Sequence, residues 1–150
     1  MTADRWFEDI AVGQALPPAE TTVSRVQMFF FSAATYNGHR IHYDHGWATD
    51  AEGYPDVVVH GPLQAAILGK LVTDWMGPRG RLVRFVTQNR ASAYAEQRLR
   101  FTGVVAAVRP VTDASPGGPV GLVDLELREE NAEGQLLMPG SATVALPRRA

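Results

Sequence analysis

The chain has 150 residues, 45% of them hydrophobic and 20% charged, with a formal net charge of −2. That composition fits a folded domain with a real apolar core and lacks the basic surplus of a nucleic-acid binder. It contains no cysteine, which excludes disulfides, zinc–thiolate sites, iron–sulfur clusters and a Cys nucleophile.

Residues Met1 to Ile10 carry Asp4, Glu8 and Asp9 and no apolar stretch, so no signal peptide is expected. Apolar runs fall short of the roughly 18 residues that a membrane span needs, and a cytoplasmic protein with no membrane partner is expected. Thr21 to Val23 has the look of a brief strand. Ser24 stands three residues before Gln27, the spacing of a capping box that satisfies two helix N–H groups. Val26, Phe29, Phe30, Ala33 and Ala34 follow at helical spacing and predict one buried face. The Phe29-Phe30-Phe31 run is expected in the core, with one ring toward a substrate channel. Asn37-Gly38 is expected to end this helix, since both residues tolerate left-handed backbone angles.

Residues 38–60 are polar, aromatic and glycine-bearing, with one helical turn expected near Gly46 to Ala51. So long an excursion in a compact domain is usually functional. A second helix is predicted from Pro62 to Met76, because proline suits the first turn and Gly77-Pro78 stops it. Leu63, Ala66, Ile67, Leu71 and Trp75 mark its apolar face, widened by Leu68, Val72 and Met76. The period then changes to two. Strands are predicted over Leu82 to Gln88, Ala93 to Val108, around Val123 to Leu127, and around Ala142 to Leu146. Thr112 to Pro119 is a loop and Asn131 to Gly134 a turn. A buried helix followed by antiparallel strands implies an α+β fold with a sheet wrapped around the helix.

The chemistry-bearing segments are Tyr36-Asn37-Gly38-His39-Arg40-Ile41-His42-Tyr43-Asp44-His45 and His60-Gly61-Pro62-Leu63-Gln64. The first supplies histidines able to act as a base near neutral pH. The second opens a helix whose free N–H groups and positive dipole end suit a developing oxyanion. His39, His42, Asp44 and His45 have the composition of a metal cluster, but the segment after Gly38 does not scan as helical, so no metal is expected.

These two motifs resemble those of the MaoC-like, hot-dog-fold acyl-thioester hydratases and dehydratases. The similarity is greatest to the branch that reads N-x-H-R-I-H-Y-D followed by V-V-H-G-P-L-Q, with mesaconyl-coenzyme A hydratase-like and hydroxyacyl-thioester dehydratase-like members. Trp6 to Gly13 matches the usual start of that fold. The resemblance implies one hot-dog domain over residues 1–150: about five antiparallel strands around one long central helix. It implies hydration of a 2-enoyl thioester of coenzyme A or acyl carrier protein, or the reverse dehydration. His42 falls on the catalytic histidine and Gly61 on the glycine whose N–H holds the thioester carbonyl. Asn37 stands where the commoner pattern has a catalytic aspartate; an amide orients water but does not take its proton. Arg40, His39, Tyr43, His60 and Pro62 are the candidate substrate contacts, with structural roles as the rival for each. No cofactor is expected. A homodimer, or a heterodimer with a second hot-dog subunit, is expected from the family's edge-to-edge sheet pairing and the open sheet edge. The alternative is a non-catalytic subunit supporting a catalytic partner. Thioester hydrolysis lacks the usual acid on the central helix, where Asp74 lies near the far end.

Overall fold

The computed structural model describes residues 4–111 and 120–149; the loop expected over Thr112 to Pro119 lies outside the described residues. In chain order the main elements are β1 (Ala19–Thr22), α1 (Arg25–Thr35), α2 (Gly61–Met76), β2 (Arg81–Thr87), β3 (Arg98–Pro110), β4 (Val120–Asn131) and β5 (Leu136–Pro147). The strands form one antiparallel sheet in the order β1-β3-β4-β5-β2. Curled around α2, it is the hot-dog arrangement that the sequence implied. None of the described helices is long and apolar enough to cross a membrane.

Alternation decides which strand residues face the helix. Leu99, Phe101 and Val105 of β3, Val123, Leu125 and Leu127 of β4, and Ala142 and Val144 of β5 are buried, and their neighbours in β3 and β4 are more exposed, whereas β5 is buried continuously from Val144 to Leu146. The register aligns these faces, with Leu125 opposite Val105 on one side and Ala142 on the other. Gly140 gives α2 its seat, since a Cβ there would already touch Leu68 at 3.4 Å. Leu68 and Val72 are wholly buried, and burying an aliphatic side chain of this kind contributes about 1.5–3 kcal/mol. The buried stripe of α2 is Gln64, Leu68, Leu71, Val72 and Trp75. It is rotated from the expected one: Leu63 and Ile67 are half-buried and Ala66 is exposed. Gly77, at φ 74°, ends the helix in a left-handed conformation that favours glycine.

The first helix departs further from expectation. Its capping box is present, with the Gln27 N–H donating to Ser24 Oγ and the Ser24 N–H donating to Gln27 Oε1. Its buried side, however, is Met28 and Ser32, and Val26, Phe29, Phe30, Ala33 and Ala34 are exposed. The strands pack against α2, and α1 buries one narrow stripe. Phe31 is the half-buried member of the aromatic run, and it packs on His60, not in the core cluster. The helix also ends one residue early. Tyr36, not Asn37 or Gly38, takes the left-handed angle, at φ 54°.

Candidate active site

Residues 57–59 anchor the long excursion. The Val59 N–H donates to the Ala93 carbonyl (2.9 Å) and the Ala95 N–H to the Val57 carbonyl (3.1 Å), so this buried segment pairs with the approach to β3. The Ala93–Ala95 stretch is thus a partner of residues 57–59, not the start of β3, which begins at Arg98. The same segment holds the histidine loop, because the Val58 N–H donates to the Ile41 carbonyl at 2.9 Å. His42 belongs to a short 3-10 turn, Arg40–His42, and its Nδ1 lies 2.7 Å from the Val58 carbonyl. A carbonyl only accepts, so Nδ1 carries the hydrogen and Nε2 keeps its lone pair. Burial lowers the His42 pKa; the Val58 bond opposes that shift and the nearby His39 adds to it. His42 is therefore held toward its neutral form, with the lone pair on Nε2.

His60 is wholly buried and lies flat against His42, with ring centroids 3.8 Å apart and planes 20° apart. Its Nε2 is 2.8 Å from Ser32 Oγ, and the edge of Phe31 meets it at 4.9 Å. Its Nδ1 has no hydrogen-bond partner. Burial, reinforced by His42, pushes the His60 pKa down to about 4, so it is neutral at pH 7.

Helix α2 begins at the next residue. Pro62 has no N–H, and the Gln64 N–H is taken by the His60 carbonyl. The Gly61 and Leu63 N–H groups make no hydrogen bond among the described residues, leaving two donors at the positive end of the helix dipole. Position 61 is closely approached: a Cβ there would lie 2.5 Å from Asn89 Nδ2, so a larger residue would displace the Asn89 side chain. A side-chain amide thus sits against the Cα of Gly61, at the first residue of the helix.

The other candidates lie apart from this cluster. Asn37 Oδ1 accepts from the His39 N–H (3.2 Å). Asn37 lines a cavity of about 480 Å³ with Phe29, Ser32, Tyr36 and Tyr43, and His42 is not among that cavity's lining. Ser32 connects the two areas by facing the cavity and bonding His60. His39 Nδ1 accepts from the Ile41 N–H at 3.4 Å, and its ring is 6.0 Å from that of His42. The Tyr43 hydroxyl donates to the Gly38 carbonyl at 2.9 Å. Arg40 is engaged by its own loop, 2.6 Å from Asp44 and stacked over Trp47 at 4.2 Å. Asp44 also accepts from the Trp47 N–H, and these two bonds hold its carboxyl below the usual range. Pro62 is exposed on the first turn of α2.

Two participants escape sequence reasoning. Ser32 is the polar member of the one buried stripe of α1, a signal that the aromatic pattern beside it masks. Asn89 follows β2 and is brought to Gly61 only by tertiary structure.

Residues 12–95, more than half of the chain, match the model of the family described as hydroxyacyl-thioester dehydratase type 2. The chain belongs to that family. The matched span contains the histidine loop, the α2 N-terminus and Asn89. The chain is 48% identical over 62 residues to mesaconyl-C(4)-CoA hydratase of Chloroflexus aurantiacus, covering 37% of this chain and 22% of that protein. It is 30% identical over 100 residues to the mitochondrial hydroxyacyl-thioester dehydratase type 2 of Schizosaccharomyces pombe, covering 63% of this chain and 33% of that one. The chain thus spans between about a fifth and a third of the length of these curated relatives. In fold it resembles a Mycobacterium tuberculosis protein with a double hot-dog fold, at 18% identity and a TM-score of 0.79, over 97% of this chain and 45% of that one.

Proposed function

We propose that this chain, as one hot-dog domain over residues 1–150, hydrates a 2-enoyl thioester or dehydrates the corresponding 3-hydroxyacyl thioester. The observation that carries this reading is the His42 Nδ1 bond to Val58, which leaves Nε2 as the base beside the α2 N-terminus. In hydration, Nε2 takes a proton from water as the water oxygen bonds to C3. The C2–C3 π electrons move through the carbonyl carbon onto the thioester oxygen. The Gly61 N–H, with the Asn89 amide beside it, stabilises that enolate oxygen; one such donor is typically worth about 3 kcal/mol. The enolate then collapses, and C2 takes the proton back from the His42 imidazolium. Because the Asn37 oxygen already accepts from its own loop and an amide does not titrate near neutrality, one histidine does both transfers.

The substrate in this reading is an acyl thioester of coenzyme A or of acyl carrier protein. The working form is a homodimer or a heterodimer with a second hot-dog subunit, a reading that the double hot-dog neighbour supports by matching over 45% of its length. His42→Ala should lower turnover of enoyl-coenzyme A substrates by roughly two to four orders of magnitude, the range of general acid–base catalysis. The assay follows enoyl absorbance for the chain alone and with a second hot-dog subunit. Activity seen only with the second subunit and surviving His42→Ala would assign this chain a supporting role and end the catalytic reading, and activity of the chain alone that survives His42→Ala would end the assignment of His42 as the base.

A further inference from the structure

We propose that Ser32 and His60 form a positioning pair, in which a clamped, neutral imidazole packs face-on against His42 and keeps its Nε2 unprotonated and aligned. This inference rests on the hydratase reading above, and it gives a task to a buried histidine that the reaction itself leaves unused.

The geometry restricts what His60 can do. Rings stacked 3.8 Å apart and 20° from parallel share no hydrogen bond, so His60 passes no proton to His42. Wholly buried, it also meets no bulk water. Of its two neutral tautomers, one donates from Nε2 to Ser32 Oγ and leaves a bare lone pair on Nδ1. The other leaves an N–H with no acceptor, because Nδ1 is unpartnered. An orphaned buried N–H is the rarer and costlier defect, which favours Nε2–H donating to Ser32. Protonating His60 would create that orphan and place a cation against His42. The ring is therefore fixed as neutral.

A neutral ring over one face of His42 removes water from that face and adds no charge, which disfavours the imidazolium. The groups facing His42 from the other elements do not oppose this. Its own loop brings His39 at 6.0 Å, itself a histidine. Residues 57–59 bring the Val58 carbonyl to His42 itself; behind it, α1 sets the uncharged Ser32 and Phe31 against His60, and the residues after β2 set the neutral Asn89 against Gly61. The charged pair in that loop, Arg40 and Asp44, closes on itself and on Trp47. The consequence is a base that stays available in weakly acidic solution.

The test is titration of the His42 imidazole by NMR in chain labelled with 15N-histidine, with no substrate present. His60→Gln removes the stacked ring, and the His42 midpoint should rise toward the ordinary histidine range. Ser32→Ala frees the clamp and should give a smaller rise in the same direction. His60→Phe keeps an uncharged ring against His42 and should hold the midpoint near that of the unmodified chain. Hydration rates should follow, with His60→Gln losing activity at weakly acidic pH where the unmodified chain retains it. An unchanged His42 midpoint in His60→Gln, with circular dichroism showing an intact fold, would overturn the proposal. If His60→Gln fails to fold, an unchanged midpoint in Ser32→Ala overturns it equally. The NMR arm needs no turnover, so an inactive chain would end the hydratase reading without deciding this one.

Discussion

Phe30 and Phe29 of α1 stand 64% and 56% exposed, whereas Leu68 and Val72 of α2 are wholly buried. Both helices carry strong apolar periodicity, so the contrast does not come from their patterns. It comes from what surrounds them. The sheet curls around α2 and meets it through β2, β3, β4 and β5. Helix α1 fully buries Met28 and Ser32, with Phe31 half-buried beside them on His60. Periodicity says that a helix has an apolar side; the position of the sheet says which side is covered.

Mutations can break or sharpen that contrast. Leu68→Ala should have the largest effect, about 2–5 kcal/mol of lost stability, because it opens a cavity under the helix where Gly140 leaves no side chain to fill it. Urea denaturation checks this, and a loss below 1 kcal/mol would mean that α2 is less tightly held than its burial implies.

The covered region also contains one group that works against it. Glu129 on β4 is wholly buried, neither carboxylate oxygen has a hydrogen-bond partner, and its cross-strand neighbours are Phe101 and Met138. Burial raises its pKa to about 7 from an ordinary 4.5. Below the ordinary value both folded and unfolded chains hold the proton, and Glu129 costs nothing by ionisation. Between 4.5 and 7 the unfolded chain ionises first, so stability falls as pH rises. Above pH 7 the loss levels off at about 3 kcal/mol. Glu129→Gln should flatten this pH dependence and raise the melting temperature at pH 8 relative to pH 5. Parallel pH profiles of the two proteins would sink the assignment.

The smallest effect belongs to the outer helix. Phe30→Ser should change the stability of the isolated chain by no more than about 0.5 kcal/mol, as read by thermal melting at low protein concentration. A large loss would mean that the exposed side of α1 is covered in solution.

Much of the architecture was legible because it depends on local pattern. The Ser24–Gln27 box, the stop at Gly77 and the alternation of Leu99, Phe101 and Val105 each follow from neighbours a few residues away. The histidine loop and the α2 N-terminus were legible as motifs. What sequence could not supply was partnership across distance. Ser32 and His60 are 28 residues apart, as are Gly61 and Asn89, and nothing in either pair announces the other. The covered side of α1 was misjudged for the same reason, since the aromatic residues outweigh Met28 and Ser32 in any local count. The left-handed angle at Tyr36 runs against preference, because a bulky side chain is seldom found there.

The pairing of residues 57–59 with 93–95 makes the site a late product of folding. His42 is held by Val58, and Val58 is held in turn by a stretch of chain made more than 30 residues later. The strands behave alike: β1 waits for β3, and β2 finds its partner only in β5, at residues 140–145. Contacts so distant in sequence form slowly, because a long loop must close before any bond rewards it. On a ribosome, the histidine loop would emerge and wait without a frame, and the imidazole would find its carbonyl fixed in place only after residues 93–95 had been synthesised.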